Sequence, residues 1–274
     1  MDLEKMLKEI EKVLKNALEG VLGNVGEVEK ALIKQIEAEI KKEISIRNGK
    51  ILKNKDNLKA INKLRSSLDK YISGQIASKL KSFKPAFEEI GKVILENYGE
   101  LASENALVLA NLVKEQSIEL VKEQFIAEGI SAEVMPELSI ILRNAAINGN
   151  SINSTIEAVQ ALVDSGLLPN AAKRITIDGL TTFSRSYVNA LTADFDAKWY
   201  LYEGALRSTS RSFCESRAGK YYRKKEIESW ARLDWQGKKA GTNSETIFLF
   251  AGGYNCYHLI LPVPESAVPE KYKN

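Results

Sequence analysis

Apolar residues recur at intervals of three and four over about the first 200 positions, the spacing that places them on one face of an α-helix. One run covers Leu3 to Leu22 with steps that alternate between four and three, as in a heptad seam. A second run keeps a spacing of four from Val28 to Ile44. Gly23 and Gly26 separate the two runs and predict a break between two helices. We expect these helices to pair as an intramolecular hairpin, with an intermolecular coiled coil as the alternative.

The second helix should end at Asn48-Gly49, because both residue types tolerate the left-handed conformation that closes a helix. A third helix is predicted from a cap at Asp56 to about Ser82. Its predicted inward side chains are Leu58, Ile61, Leu64, Leu68, Tyr71 and Ile76. Further helices follow as far as Phe195, with breaks predicted at Tyr98-Gly99, Gly129, Asn148-Gly149-Asn150 and Gly166.

The pattern changes to short runs of β-forming residues after the last of these helices. Strands are predicted at Trp199–Tyr202, Thr246–Phe250 and Leu259–Leu261, with a helix at Lys225–Leu233 between the first two. Gly252-Gly253 should form a tight reversal before the third strand, because glycine takes a positive φ at no steric cost. The fold class is therefore mainly α, with an extended helical N-terminal region followed by a small α+β C-terminal domain.

The turn at Asn148-Gly149-Asn150 and the change from helix to strand at Asp196-Ala197-Lys198 also predict the domain organisation. Residues 1–150 form the helical N-terminal region, and residues 151–198 form a helical lead-in. Residues 199–264 form the small α+β domain. Residues 265–274 are polar and contain Pro269, so they are expected to form an extended tail.

Composition narrows the class of protein. A formal net charge of +3 over 274 residues shows that the chain as a whole is not a polycation. Two cysteines are too few for a disulfide scaffold, and their rarity fits synthesis in a reducing cytoplasm. No apolar run approaches the roughly 20 residues that a membrane-spanning helix needs, so no membrane partner is expected. The acidic, amphipathic start lacks the basic and apolar regions of a signal peptide.

An ordered set of short motifs runs from Trp199 to Val263. W-Y-x-Y-x-G begins at Trp199, and R-x-F-C ends at Cys214. G-K-Y, an E-I-x-x-W helix, G-G-Y-N-C-x-H and L-P-V follow in that order. This set resembles the Mu F-like head morphogenesis family of phage minor head proteins, in the form found in phages and prophages of Bacteroidetes-type hosts. The resemblance covers roughly the last two-fifths of the chain.

The resemblance implies a non-enzymatic virion protein that is made in the host cytoplasm and takes part in head morphogenesis, DNA packaging or DNA ejection. Its implied partners are the portal protein, the major capsid protein or both, in a symmetric assembly with multiple copies. The motif residues expected to be structural are Trp199, Gly204, Gly219, Gly252, Gly253, Tyr254 and Asn255. A neck or tail adaptor is one alternative. An effector-like or toxin-like enzyme module is another, because Mu F-like domains are sometimes joined to effector domains.

Cys214, Cys256 and His258 are candidate metal ligands, because zinc prefers thiolate and imidazole. Some members of the family that this chain resembles carry extra cysteines, in a pattern similar to a C-x-x-C pair followed by an H-P-N-C-R-C tail. Here Arg217 stands where the second cysteine would fall, and Gly253-Tyr254-Asn255 stands in place of H-P-N. Three ligands are one fewer than a closed structural zinc site has. We therefore expect no bound cofactor and little zinc, with both cysteines buried as small apolar residues.

A catalytic pair of Cys256 and His258 is the remaining interpretation of these residues. The two positions would face the same side of a strand, since side chains alternate along it. Nucleophilic catalysis also needs a partner that orients the base and an oxyanion hole, and no known nucleophile signature surrounds Cys256. The sequence thus predicts that the protein is not an enzyme.

A basic segment extends from Lys41 to Lys84, where the acidic residues are Glu43, Asp56 and Asp69. Such a surface attracts polyanions and gives affinity for phosphate backbones that depends on salt. Candidate contacts to duplex DNA of any sequence are Lys50, Lys53, Lys59 and Lys63. The alternative is a helix face whose lysines serve only to keep it solvated.

Overall fold

The computed structural model of the protein describes residues 2–72, 74 and 83–273. The chain divides into two compact units, each assembled from separate segments of sequence. The first unit combines Met1–Ala17, Lys84–Leu120 and Thr176–Asn274, and the second combines Leu18–Phe83 and Val121–Ile175. The fold is mainly helical with a small antiparallel sheet near the C-terminus, which confirms the predicted fold class.

The helices and strands follow in this order along the chain. Seven longer helices are α1 Leu3–Glu43, α2 Lys55–Tyr71, α3 Phe83–Tyr98, α4 Glu104–Gln124, α5 Met135–Asn148, α6 Ile152–Val163 and α7 Leu167–Leu191, among the described residues. Shorter ones are α8 Ser212–Glu215, α9 Lys224–Trp230 and α10 Ile247–Phe250. The strands are β1 Ile46–Arg47, β2 Lys50–Ile51, β3 Trp199–Glu203, β4 Lys220–Arg223 and β5 Leu259–Val263. No helix in the described ranges is both long enough and apolar enough to cross a membrane.

Helix α1 is continuous through Gly23 and Gly26, so the predicted break and the predicted helical hairpin are wrong. Glycine in a helix costs about 1 kcal/mol relative to alanine. The apolar stripe runs across the glycines without interruption, because Val21, Val25 and Val28 are all buried. Burial of each such side chain contributes roughly 1.5–3 kcal/mol, which exceeds the cost of the glycines.

Asn48 and Gly49 form a hairpin turn and do not cap a helix, since α1 already ends at Glu43. Both residues have a positive φ, 50° and 72°, as a two-residue hairpin turn requires. The turn joins β1 to β2 with Ile46 opposite Ile51. An Asn-Gly pair is a signal for a hairpin as well as for a helix end, and here the flanking residues pair as strands.

Helix α2 begins after Asn54, whose side chain accepts a hydrogen bond from the Asn57 N–H at 2.8 Å, so Asp56 is not the cap. Asn57 is buried because its amide donates to the carbonyls of Ser45 and Leu52. This places Leu58 on the exposed side, contrary to the prediction. The predicted inward positions Ile61, Leu64 and Leu68 are buried. Ile76 and the predicted end at Ser82 lie outside the described residues.

Two of the predicted helix boundaries are confirmed, and a third differs. Helix α3 ends at Tyr98, and α5 ends before Gly149, whose φ of 67° is left-handed. Gly129 does not end its helix but lies within a π-helical segment, Phe125–Ser131. Its Cα faces Ala171, and a Cβ added there would be 3.7 Å from the Ala171 Cβ. A methyl group added at Gly129 would thus be in ordinary van der Waals contact with α7.

The C-terminal sheet has the order β4-β3-β5, and both pairings are antiparallel. Leu201 in the central strand faces Tyr221 on one side and Leu261 on the other. Strand β5 contains Pro262, which cannot donate a hydrogen bond and is tolerated because β5 is at the edge. The Pro262 carbonyl instead accepts a hydrogen bond from the buried Tyr98 hydroxyl at 3.1 Å.

The predicted strand at Thr246–Phe250 is wrong, because Ile247–Phe250 forms the one-turn helix α10. The Asn243 side chain accepts hydrogen bonds from the N–H groups of Glu245 and Thr246, both at 2.9 Å. This local capping starts a helical turn that outweighs the β preference of the four residues that follow.

The segment after Pro264 was expected to be extended and instead contains two turns of 3-10 helix, Glu265–Ala267 and Glu270–Tyr272. Val268 between them is buried, and the Tyr272 ring lies 5.3 Å from the ring of Tyr221 in β4. Apolar contacts with the sheet therefore hold the tail against the domain.

Candidate functional site

The structure brings Cys214, Cys256 and His258 together in the core of the C-terminal domain. Their ligand atoms all lie within 4.8 Å of one another, and all three residues are buried. The two sulfurs are 3.9 Å apart, and the Cys256 Sγ is 3.8 Å from the His258 Nδ1. Both cysteines are free thiols.

Local structure explains how residues 42 positions apart meet. Cys214 lies in α8, where its N–H donates to the Arg211 carbonyl at 2.8 Å and closes the first turn. Cys256 follows Asn255, which takes a left-handed φ of 55° and so redirects the chain. The Asn255 N–H donates to the Asp178 carboxylate on α7 at 2.5 Å. Helix α7 thus anchors the loop that carries Cys256.

Arg185 on α7 also holds this loop and is almost fully buried. Its guanidinium donates to the carbonyls of Cys256 at 2.6 Å, His258 at 2.9 Å and Leu249 at 3.0 Å. A planar guanidinium can satisfy several acceptors in fixed directions, which a lysine cannot. Arg185 therefore determines the backbone position of two of the three candidate ligands.

Two glycines allow the backbone to approach this cluster. A Cβ on Gly252 would collide with the Cys214 Sγ and would lie 2.9 Å from the Cys256 Sγ. A Cβ on Gly204 would lie 2.7 Å from the His258 Cα. The Gly252 N–H also donates to the Cys256 Sγ at 3.3 Å. These two glycines are therefore required by close packing around the thiols and the imidazole.

Tyr202 of β3 contacts all three candidate ligands. Its hydroxyl is 3.3 Å from the Cys214 Sγ and 3.8 Å from the Cys256 Sγ. Its ring stacks on the His258 imidazole with centroids 5.1 Å apart and 20° between the planes. Burial raises the pKa of Tyr202 well above its ordinary value, so the phenol stays protonated and remains a hydrogen-bond donor.

The surroundings shift the pKa values of the two cysteines in opposite directions. The contact with Cys214 lowers the pKa of Cys256 well below its ordinary value, and His258 and Arg185 lower it further, although burial opposes the shift. The same contact and burial raise the pKa of Cys214.

The other motif residues lie around this centre in structural positions. Trp199 is buried under the guanidinium of Arg223, which is 4.4 Å from its ring centroid. Gly219 has a φ of 73°, and its N–H donates to the Tyr202 carbonyl at 2.9 Å, which leads the chain into β4. Gly253 has a φ of 96°, which confirms the predicted turn there. Tyr254 is exposed, with its carbonyl accepting from Arg211 at 2.8 Å.

The candidate DNA contacts belong to the second unit. Lys50 lies in β2 and Lys53 just before α2, whereas Lys59 and Lys63 lie one turn apart on one face of α2. All four residues are exposed. Lys59 and Lys63 lie off the buried apolar stripe of α2. The structure thus leaves these lysines available to a polyanion.

Sequence reasoning missed Arg185 and Tyr202 as parts of the site. A signal for Arg185 was present, because Asp178 and Arg185 are the charged residues between Thr176 and Ala193 on a helix rich in apolar and hydroxyl side chains. A charge in such a surrounding indicates a buried partner. Tyr202 carried no signal beyond its aromatic strand, since its role depends on the two sulfurs that the fold brings to it.

Chemically, two sulfurs beside an imidazole can bind a soft divalent metal, and the sulfurs alone can be oxidised to a disulfide. Comparison of the chain with protein-family models, curated proteins and solved structures found no match. The resemblance described above therefore stands on its motif residues alone, and the chemistry of the site is argued from its geometry.

Proposed function

We propose that this chain is a non-enzymatic structural protein of a phage virion, a minor head or head-morphogenesis protein associated with the portal or the capsid interior. The supporting observation is what the motif residues do in the fold. Gly204 and Gly252 pack against the thiol and imidazole centre, Gly219 leads into β4, and Trp199 lies in the core. Motif residues that maintain a backbone and a core fit a structural protein.

The surroundings of Cys256 favour the same interpretation over an enzyme module. The Cys256 Sγ is enclosed by Tyr202, Gly252 and Cys214, and the residue is 2% exposed. The pocket beside it has a volume of about 30 Å³, against roughly 300–1,000 Å³ for a typical ligand pocket. A nucleophile must reach its substrate, so the enclosed sulfur and the small pocket argue against an enzyme module.

The proposal includes contact with packaged DNA through the second unit. Exposed lysines on β2, α2 and the segment between them present positive charge, while the buried side of α2 carries Ile61, Leu64 and Leu68. Each neutralised phosphate releases counterions, so affinity should fall steeply with salt and should not depend on base sequence.

Quantitative mass spectrometry of purified particles from a strain that carries the gene tests the virion role. We expect the protein in intact particles at a few copies for each portal ring, and particles that lack DNA or fail to assemble when the gene is deleted. Location at the neck in a reconstruction would favour the adaptor alternative. Absence from particles with normal assembly would contradict the proposal.

A gel-shift titration of the full chain tests the DNA contact. Replacing Lys50, Lys53, Lys59 and Lys63 by glutamate should abolish weak duplex binding seen at low salt, and binding by the wild type should be lost near physiological salt. Loss of four phosphate contacts would reduce the salt slope by about 3–4. The matched control replaces the exposed Lys12, Lys15, Lys92 and Lys198 by glutamate, with the same change in net charge.

The control separates a local contact from a general effect of charge. Equal losses in the two variants, or wild-type binding that is absent even at low ionic strength, would show that the basic face of α2 only solvates the helix. Circular dichroism of both variants should match the wild type, because none of the eight lysines lies on a buried stripe.

A further inference from the structure

Two of the three separations among Cys214, Cys256 and His258 are close to the edges of a metal coordination sphere. With zinc–sulfur bonds of about 2.3 Å and a zinc–nitrogen bond of about 2.0 Å, tetrahedral geometry places two sulfurs roughly 3.8 Å apart and sulfur and nitrogen roughly 3.5 Å apart. The observed separations are 3.9 Å between the sulfurs and 3.8 Å between the Cys256 Sγ and the His258 Nδ1. All three ligand atoms lie within 4.8 Å of one another, so side-chain rotation would bring them to one ion.

The imidazole lacks the partners that a buried structural histidine normally has. Its Nε2 is buried and has no hydrogen-bond partner among the described residues, and the neighbour of its Nδ1 is the Cys256 sulfur. A metal bound at Nδ1 would give that nitrogen a strong partner, because an imidazole nitrogen is a good zinc ligand, whereas Nε2 would keep its buried position.

A small cavity touches all three residues at once. It has a volume of about 30 Å³, and its lining includes Cys214, Cys256 and His258 together with Arg211 and Asn255. One water molecule needs about 10–15 Å³ of such space. The cavity therefore has room for a water at a fourth coordination position, which the sequence could not supply as a side chain.

The neighbouring groups already support thiolate ligands. The Gly252 N–H donates to the Cys256 Sγ, and the Tyr202 hydroxyl donates to the Cys214 Sγ. Arg185 fixes the carbonyls of Cys256 and His258. Hydrogen bonds of this kind orient metal ligands and contribute to metal affinity.

We propose that Cys214, Cys256 and His258 bind one zinc ion with a water as the fourth ligand, and that the ion joins α8 to the loop that leads into β5. Both thiols lose their protons to solvent when the metal binds, and no oxidation or reduction takes place. The inference does not depend on the proposed virion role. It departs from the expectation of little zinc, which followed from counting side-chain ligands without the cavity.

The test uses the full chain, purified under reducing conditions and with no added metal. Elemental analysis should find about one zinc ion for each chain. After removal of the metal with a chelator, titration of the reduced protein with Co²⁺ should saturate at one equivalent. It should also produce the intense thiolate-to-cobalt charge-transfer absorption of a sulfur-coordinated site. A folded, reduced wild-type protein that shows no such absorption would overturn the proposal, whatever the behaviour of the variants.

Two variants identify the ligands. Cys256→Ser should lose the charge-transfer absorption and the bound zinc. Tyr98→Phe is the matched control, because it removes a buried hydroxyl that donates to the Pro262 carbonyl and is not among the groups around the two sulfurs. It should keep one equivalent of cobalt. Loss of cobalt binding in a folded Tyr98→Phe variant would show that binding does not depend on the three named ligands alone and would overturn their assignment.

Discussion

Replacing Gly20, Gly23 and Gly26 by alanine should stabilise the protein, both singly and in combination. All three lie within α1, and no heavy atom outside the local helix backbone lies within 4 Å of the position where an alanine Cβ would be. The added methyl groups therefore meet no obstacle. Alanine is favoured over glycine in a helix interior by about 0.8–1.0 kcal/mol, mainly because it has less backbone freedom in the unfolded chain. The triple variant should gain roughly 2–3 kcal/mol.

Urea unfolding followed by far-UV circular dichroism measures the change in the free energy of unfolding. The matched control is Gly149→Ala. Gly149 has a φ of 67°, and a Cβ there would lie 2.7 Å from the Lys53 Cε. This variant should lose about 1 kcal/mol. If the chain reversed at Gly23 or Gly26, one of them would need a positive φ, and its alanine variant would be destabilised like the control. That result would refute a continuous α1.

Two further changes examine the C-terminal domain by the same unfolding measurement. Arg185→Met should destabilise the protein by about 3 kcal/mol or more, because the carbonyls of the buried Cys256 and His258 and of the half-buried Leu249 lose a shared donor. A loss below about 1 kcal/mol would show that these hydrogen bonds contribute little. Gly253→Val should cost more than Gly241→Val. Both glycines have a positive φ, but a Cβ on Gly253 would collide with the Gly237 carbonyl, whereas Gly241 faces open space. Equal losses would mean that backbone strain alone explains the Gly253 requirement.

The residues of α1 and α10 show where local preference and tertiary structure disagree. Gly23 and Gly26 favour a break locally, yet the buried stripe of Val21, Val25 and Val28 keeps the helix intact. Conversely, the β-forming residues Ile247–Phe250 become helical because Asn243 caps the turn before them. A local pattern predicts what a segment prefers in isolation, and the contacts that decide between two close alternatives come from elsewhere in the chain.

Asn57 and Leu58 show the same limit at the scale of one residue. Hydrophobicity assigned Leu58 to the core, but the structure buries the neighbouring Asn57 and exposes Leu58. The Asn57 side chain accepts a hydrogen bond from the Ser45 N–H at 2.7 Å and donates to the carbonyls of Ser45 and Leu52. These hydrogen bonds with the residues that flank the β1–β2 hairpin accompany the burial of Asn57, and hydrophobicity alone does not predict them.

For this protein, residue type and spacing determined the mainly helical class, the strands at Trp199 and Leu259, and the identity of the candidate ligands Cys214, Cys256 and His258. These follow from short-range periodicity and from the chemistry of single side chains, which a sequence states directly. Only the tertiary structure decided that the Cys214 sulfur lies 3.9 Å from that of Cys256, with Arg185 behind them and a cavity beside them. Such a site depends on how separate elements pack, and the free energy of that packing is distributed over many contacts that no single segment contains.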